Sequence, residues 1–203
     1  MNLRAISGTA ARLGAATERT VGGIASAGQL RGSFARWAVV TVPLVVLIGF
    51  ASGRSVPAGH DNAWYVALAK PPLNPPDWLF PVAWSLLYIL LGLAVAIVLN
   101  ARGARWRWPA VAAFVVEVAG LATWQPLFFG AHRVTLALLL IVALLIWGIV
   151  TTVLFGRVRR TAAWLLVPFL AWVGFAAGLA NGIRVLNPDA ERLAPAGRTS
   201  QML

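Results

Sequence analysis

Residues 63–92 read AWYVALAKPPLNPPDWLFPVAWSLLYILLG, and the change of character within this stretch decides the fold. Pro71, Pro72, Pro75 and Pro76 each lack a backbone donor and fix φ, so neither a helix nor a central strand runs through them. From Trp78 the residues turn apolar and stay so to Leu99, long enough for a helix that crosses a bilayer. Trp64, Tyr65, Trp78, Trp84 and Tyr88 crowd the junction, and Trp and Tyr favour the level where hydrocarbon meets headgroup. The stretch therefore predicts a stiff aromatic loop leading into a transmembrane helix and closing over a pocket.

Composition extends this reading to the whole chain. Of 203 residues, 60% are hydrophobic and 11% charged, against about 25% charged in a soluble domain. Mean hydropathy is +0.78. So few charges cannot coat a water-soluble globule, and a polytopic membrane protein fits. Cysteine is absent, which excludes disulfides, thiolate metal sites and a cysteine nucleophile. The net charge is +11, and all basic residues but Lys70 are Arg. They stand in tails and short loops beside apolar segments, as topology signals do, so nucleic acid is not an expected partner.

Five apolar segments are predicted as spans: Trp37 to about Ser52, Trp78–Leu99, Trp108–Phe129, Val134–Phe155 and Ala162–Leu186. A membrane barrel would alternate apolar and polar residues, which Leu136–Ile146 does not. The expectation is an all-α integral membrane protein, a five-transmembrane-helix bundle with a long first inter-helix loop, Gly53–Asp77. Before it, residues 1–36 have the composition of a disordered basic amino-terminal tail; an organellar transit peptide shares that composition, and a bacterial cytoplasmic tail fits it better. After it, residues 188–203 read as a polar carboxy-terminal tail. With five spans, the amino terminus and the second and fourth loops share one side. That side carries eleven of the seventeen basic residues, which in a bacterial cell membrane predicts a cytoplasmic amino terminus.

Helical periodicity gathers candidate site residues onto faces. The second span aligns Pro81, Trp84, Tyr88 and Leu91; the third Glu117, Leu121 and Trp124; the fifth Pro168, Trp172, Phe175, Ala176 and Leu179. Converging, these faces would form an aromatic box open toward the loop, of the kind on which flat conjugated ligands stack; the competing reading is that the aromatics pack the bundle. Glu117 is the one acid deep inside a span, at a cost of roughly 2.5–3.5 kcal/mol, and should face the interior as a ligand contact, a proton-linked group or an interhelical hydrogen bond. Gly174, Gly178 and Gly182 repeat every four residues and predict close packing within the monomer. His60 and His132 share no ligand spacing and read as solvated loop residues; no metal site is expected. Ser85 and Thr151 read as helix-embedded hydroxyls.

Three blocks resemble one family: WYVALAKPPLNPPDWLFPVAWSLLY at 64–88, WQPLFFGAHR at 124–133 and LLVPFLAWVGFAAGL at 165–179. With the order of spans, residues 37–187 are similar to the TspO/MBR family of tryptophan-rich sensory proteins, relatives of the animal translocator protein. The resemblance implies a five-helix bundle with a pocket beneath the first loop and a tetrapyrrole ligand, protoporphyrin IX or haem, that is carried or sensed. It implies no required cofactor, a membrane-lipid environment and often a homodimer. The resemblance matches Trp84, Trp172 and Trp124 to the family's pocket aromatics; joined with the helix faces above, the expected ligand-binding set is Trp84, Tyr88, Glu117, Leu121, Trp124, Trp172, Phe175, Ala176 and Leu179, with Trp64, Pro71, Pro75, Pro76 and Trp78 as lid. An alternative implied by the family is light-dependent porphyrin degradation with Trp84 and Trp172 as its redox-active rings; a third is a membrane interaction protein without ligand. Leu121 stands where the family usually has Asn, Phe169 where it has Tyr, Ala180 where it has Asn, and Glu117 where an amide is common. The sterol-recognition pattern needs a Tyr, and none lies between Leu179 and Arg184, which speaks against a sterol.

Overall fold

A computed structural model describes residues 27–193, and every regular element in that range is helical. In chain order these are α1 (Ala27–Gly53), a 3-10 turn (Gly59–Asp61), α2 (Ala63–Ala67), α3 (Leu79–Asn100), α4 (Arg107–Gln125), a π turn (Pro126–Gly130), α5 (Val134–Val158), α6 (Arg160–Leu186) and a final 3-10 turn (Ala190–Arg192). Five of the helices are long and apolar enough to cross a membrane. The spans expected from sequence agree with α1, α3, α4, α5 and α6 within a few residues, except that α1 starts at Ala27, before the expected Trp37. No proline interrupts Ala27–Trp37, so the helix continues backward from the apolar span. The rest of the amino-terminal tail, and the end of the carboxy-terminal one, lie outside the described residues.

Short connections make neighbours in sequence antiparallel neighbours in space. α4 packs on α5, α5 on α6, α6 on α3 and α3 on α4, closing a ring of four. Its centre is apolar and sealed, with Leu91, Val98, Phe155, Leu166 and Phe169 essentially inaccessible. The outward faces are also apolar: Val39, Leu47, Leu86, Leu139, Ile146 and Val153 are all exposed, as on helices solvated by acyl chains.

α1 lies against the ring at two levels. At the first, the single hydroxyl proton of Thr41 is shared between the Gly92 carbonyl at 2.8 Å and Trp37 O at 2.9 Å. A Cβ on Gly92 would stand 2.6 Å from Val42 Cα, so only glycine lets α1 and α3 approach this closely. At the second, near the loop, Pro126 has no N–H for the carbonyl four residues back, Ala122. Ser52 Oγ of α1 donates to that carbonyl at 2.8 Å, and Gln125 Nε2 donates to Gly53 O at 2.9 Å. Beyond Pro126 the helix widens, with Ala131 N donating to Pro126 O.

The glycine ridge of α6 differs from the expectation. Gly174 faces Leu145 of α5, but nothing approaches Gly178, and Gly182 receives Pro71 of the loop. Near its end α6 still packs on α5, with Ile183 clustered with Val134 and Ala137, but at Gly182 the neighbour is the loop and not a helix.

Candidate functional site

The loop between α1 and α3 is tied down residue by residue. Asn62 caps α2: its Oδ1 accepts from Tyr65 N at 3.0 Å, and its Nδ2 donates to Pro57 O and Phe129 O. At the other end of this short helix, Lys70 Nζ donates to the carbonyls of Tyr65, Val66 and Leu68, and stands 4.6 Å over the Tyr65 ring. Asn187, just past α6, accepts from Ala69 N and donates to Ala69 O, both at 2.8 Å, and also donates to Ile183 O. His60 is paired with Asp77 across the base of the loop.

Beneath this lid lies an aromatic cluster. Trp64 is 1% exposed, donates its Nε1 to Ala190 O at 2.8 Å, and stacks on His132 at 4.4 Å. Phe128 and Phe129 of the π turn meet Tyr65 edge-on, and Phe128 also meets Trp64 edge-on. Trp124 stacks parallel to Phe128 at 5.0 Å and donates Nε1 to Ala137 O of α5. His132 is therefore not the solvated loop histidine expected: it adopts φ 56° and covers the indole of Trp64. Burial of the Tyr65 phenol, with Asp77 adding to it, holds its hydroxyl above the ordinary tyrosine value against a hydrogen bond with Asn74 that acts the other way.

A second aromatic group joins α3 to α6. Phe80 meets Trp172 edge-on at 5.9 Å, and Trp172 lies 5.6 Å from Phe175. One turn below Phe80, Trp84 stacks on Tyr88 at 5.3 Å, and the Tyr88 ring fills the space left by Gly49 of α1. Trp84, Tyr88, Leu121, Trp124, Trp172 and Ala176 are all half-buried and pack on the same sealed core. Phe175 is half-buried too, and Leu179 is buried. Trp172 thus takes its ring partners from Phe80 of α3 and Phe175 of its own helix, Trp84 from Tyr88 on α3, and Trp124 from the π turn. Of the lid residues, Pro71 touches Gly182, and Pro75 is half-buried. Pro76 is exposed, and Trp78 stands outward at 65% exposure, away from the cluster.

Among the described residues, three side chains carry buried polar atoms without a hydrogen-bond partner: Glu117 (both oxygens), Thr151 (Oγ1) and Trp172 (Nε1). Glu117 faces the interior as expected, 1% exposed, and its carboxyl group lies beside Gly148 of α5. Ser85 donates to Pro81 O, the helix-embedded role read for it, whereas the Thr151 hydroxyl is sealed off and unbonded. Asn62, Phe128, Phe129 and Asn187 are not picked out individually by the sequence, and His132 only as a solvated loop residue. Asn62 before AWYVA is a readable helix cap; the others become functional only through contacts distant in the chain.

Comparison with known proteins follows the same outline. A model of the TspO/MBR family matches residues 39–186. The tryptophan-rich protein TspO of Chlorobaculum tepidum is 38% identical over 152 residues, covering 72% of this chain and 93% of its own length. Protein CrtK of Rhodobacter capsulatus is 39% identical over 63% of this chain and 80% of its own. The translocator protein of Sus scrofa is 36% identical over 64% and 78%.

Proposed function

Since this chain belongs to the TspO/MBR family, a family of multi-pass membrane proteins, we propose that it binds a tetrapyrrole, protoporphyrin IX or haem, beneath its lid as a carrier or sensor. One observation carries the reading. The indole N–H of Trp172 is buried without an acceptor, amid half-buried aromatic faces on α3 and α6. Buried donors are nearly always satisfied, so an unmet one beside stacking surfaces suits a flat ligand with acceptor atoms at its edge. Trp84, Tyr88, Trp172 and Phe175 are the walls; Leu121, Ala176 and Leu179 fill between them; Trp124 links the site to the lid through Phe128. Glu117 supplies an interior carboxyl group.

The test is titration of the purified chain with protoporphyrin IX, followed by tryptophan quenching. Each aromatic wall contributes roughly 0.5–1.5 kcal/mol beyond buried area, so Trp84→Leu with Trp172→Leu should weaken binding about tenfold or more. Unchanged affinity in a variant that melts like the parent overturns the site.

The same proposal has the protein in a bacterial cell membrane, amino terminus inside and lid outside, supported by the excess of Arg on the amino-terminal side. The absence of cysteine makes this simple to check: a single Cys at Arg102 should be shielded, and one at Leu73 reached, by an impermeant thiol reagent applied to intact cells. The opposite pattern reverses the orientation.

A further inference from the structure

The end of the bundle away from the lid carries Arg102 and Arg105 before α4, Arg107 at its first position, and Arg157, Arg159 and Arg160 at the α5–α6 junction. Among the described residues, every acid outside the spans (Asp61, Asp77, Asp189, Glu191) lies at the lid end, as do all the ion pairs. The six arginines are therefore unmatched by any described acid. They are also not randomly splayed. The guanidinium of Arg157 sits 4.8 Å over the Trp106 ring and that of Arg105 5.7 Å from the same ring, so one indole gathers cations from the α3–α4 loop and from the last turn of α5. Arg107 lies 4.5 Å over Trp108. Beside them Trp108 and Trp164 are 63% and 72% exposed, above outward apolar helix faces. Exposed indoles at the start of a span mark the headgroup level.

We propose that Arg105 and Arg157, gathered around Trp106, form a binding site for the phosphate headgroup of an anionic phospholipid. Two guanidiniums held at one ring concentrate positive charge there, and a phosphate that reaches them offsets that charge while accepting their N–H donors. A headgroup bearing its own ammonium would add a third cation to the same place, so the site discriminates against zwitterionic lipids. The flanking exposed indoles select a ligand attached to acyl chains over a free anion. Arg107, Arg159 and Arg160 add unspecific attraction to an anionic surface, and Arg102 extends it.

The full chain is reconstituted in phosphatidylcholine vesicles containing a minority of phosphatidylglycerol, extracted in mild detergent, and its retained lipids counted by native mass spectrometry. Retained lipid should be enriched in phosphatidylglycerol over the vesicle. Arg105→Gln with Arg157→Gln should cut the enrichment about fivefold per arginine removed. Arg54→Gln with Arg184→Gln, at the lid end, should leave it unchanged. No enrichment, or equal loss in the lid-end pair, overturns the proposal. Displacement of the lipid by inorganic phosphate would make this a free-anion site and overturn the lipid assignment. A second measurement needs no variant: in the parent chain, brominated phosphatidylglycerol should quench tryptophan emission more than brominated phosphatidylcholine, and equal quenching overturns the proposal as well.

Discussion

The two ends of this bundle satisfy their backbone in opposite ways. At the lid end the chain leaves α1 at Gly53 and does not regain a long helix until Leu79, and side chains supply what the backbone lacks there. Trp64 reaches Ala190, Asn187 clasps both polar groups of Ala69, Asn62 bridges to Phe129, and Glu191 meets Thr135 N. At the far end six residues join α3 to α4 and Arg159 alone joins α5 to α6. There the backbone closes its own turns: Ala104 N donates to Ala101 O, Arg107 N to Ala104 O, and Arg159 N to Phe155 O. Gly103, at φ 77°, supplies the left-handed residue that the first of these turns requires. Side chains at that end are left free for partners outside the chain. Those named at the lid end are committed inward, each holding its own stretch of the loop. The lid should therefore loosen one residue at a time, while the far end behaves as part of the core.

The hardest blow to that contrast is Trp64→Ala. It removes a buried indole and the bond to Ala190, and large-to-small aromatic changes in a core cost roughly 3–5 kcal/mol. Hydrogen exchange should rise across 59–70 and 187–192 while Ala94–Val98 and Ala110–Phe114 keep their protection. Equal loss at both ends would show that the two regions are not separable. Next comes Gly92→Ala. Its Cβ would meet the backbone of Val42, and overpacking costs roughly 1–3 kcal/mol. Here the loss should appear as a lower melting temperature with α1 exchanging faster, and with the lid intact. Asn187→Ala should cost about 1–2 kcal/mol, because its partners at Ala69 regain water when released. Faster exchange confined to 66–72, with no change near Trp106, would sharpen the contrast.

How far the sequence reveals all this depends on the range of the interaction involved. The spans are plain because a run such as Leu136–Ile146 has no other stable environment than lipid. The face of α3 is plain for the same reason: Leu91 is sealed and Trp84 and Tyr88 half-buried, as a 3.6-residue period requires. The lid's interior was less legible. Proline spacing shows that residues 71–76 cannot be helical, but not that Pro71 settles on Gly182, more than a hundred residues away. His132 has nothing in its neighbourhood to announce a stack with Trp64, and Asn187 looks like any polar residue after a helix. Trp124 belongs on the pocket-facing stripe by period alone. The π turn that begins at Pro126 brings Phe128 onto its ring, and a change in helical period is invisible to an argument that assumes a constant one.

The smallest expected effect is a dependence on pH, and it separates the ends most cleanly because acids outside the spans occur, among the described residues, only beside the lid. Glu191 reaches the first turn of α5, where helical N–H groups have no partner of their own. Its Oε1 accepts from Thr135 N at 2.8 Å, and Oε2 lies 3.9 Å from Arg133. The Thr135 N–H, and after it the Arg133 charge, hold the Glu191 carboxyl below the ordinary carboxylate value. A carboxylate lowered in the folded state stabilises it fully above the unfolded value, and that contribution fades as pH falls through the folded one. Acidification across this window should therefore quicken exchange at Thr135 and free the Ala190 turn from α5, with Trp64 losing a little of its shielding in consequence. Glu191→Gln should flatten the response, since an amide keeps an acceptor for Thr135 but has no charge to titrate. Because Glu191 is exposed, water shares the load and the change is modest. The arginine end, where no described acid lies outside the spans, should show no counterpart; a matching response there would mean that protonation at Glu191 is felt through the whole bundle, and the independence of the two ends would fail.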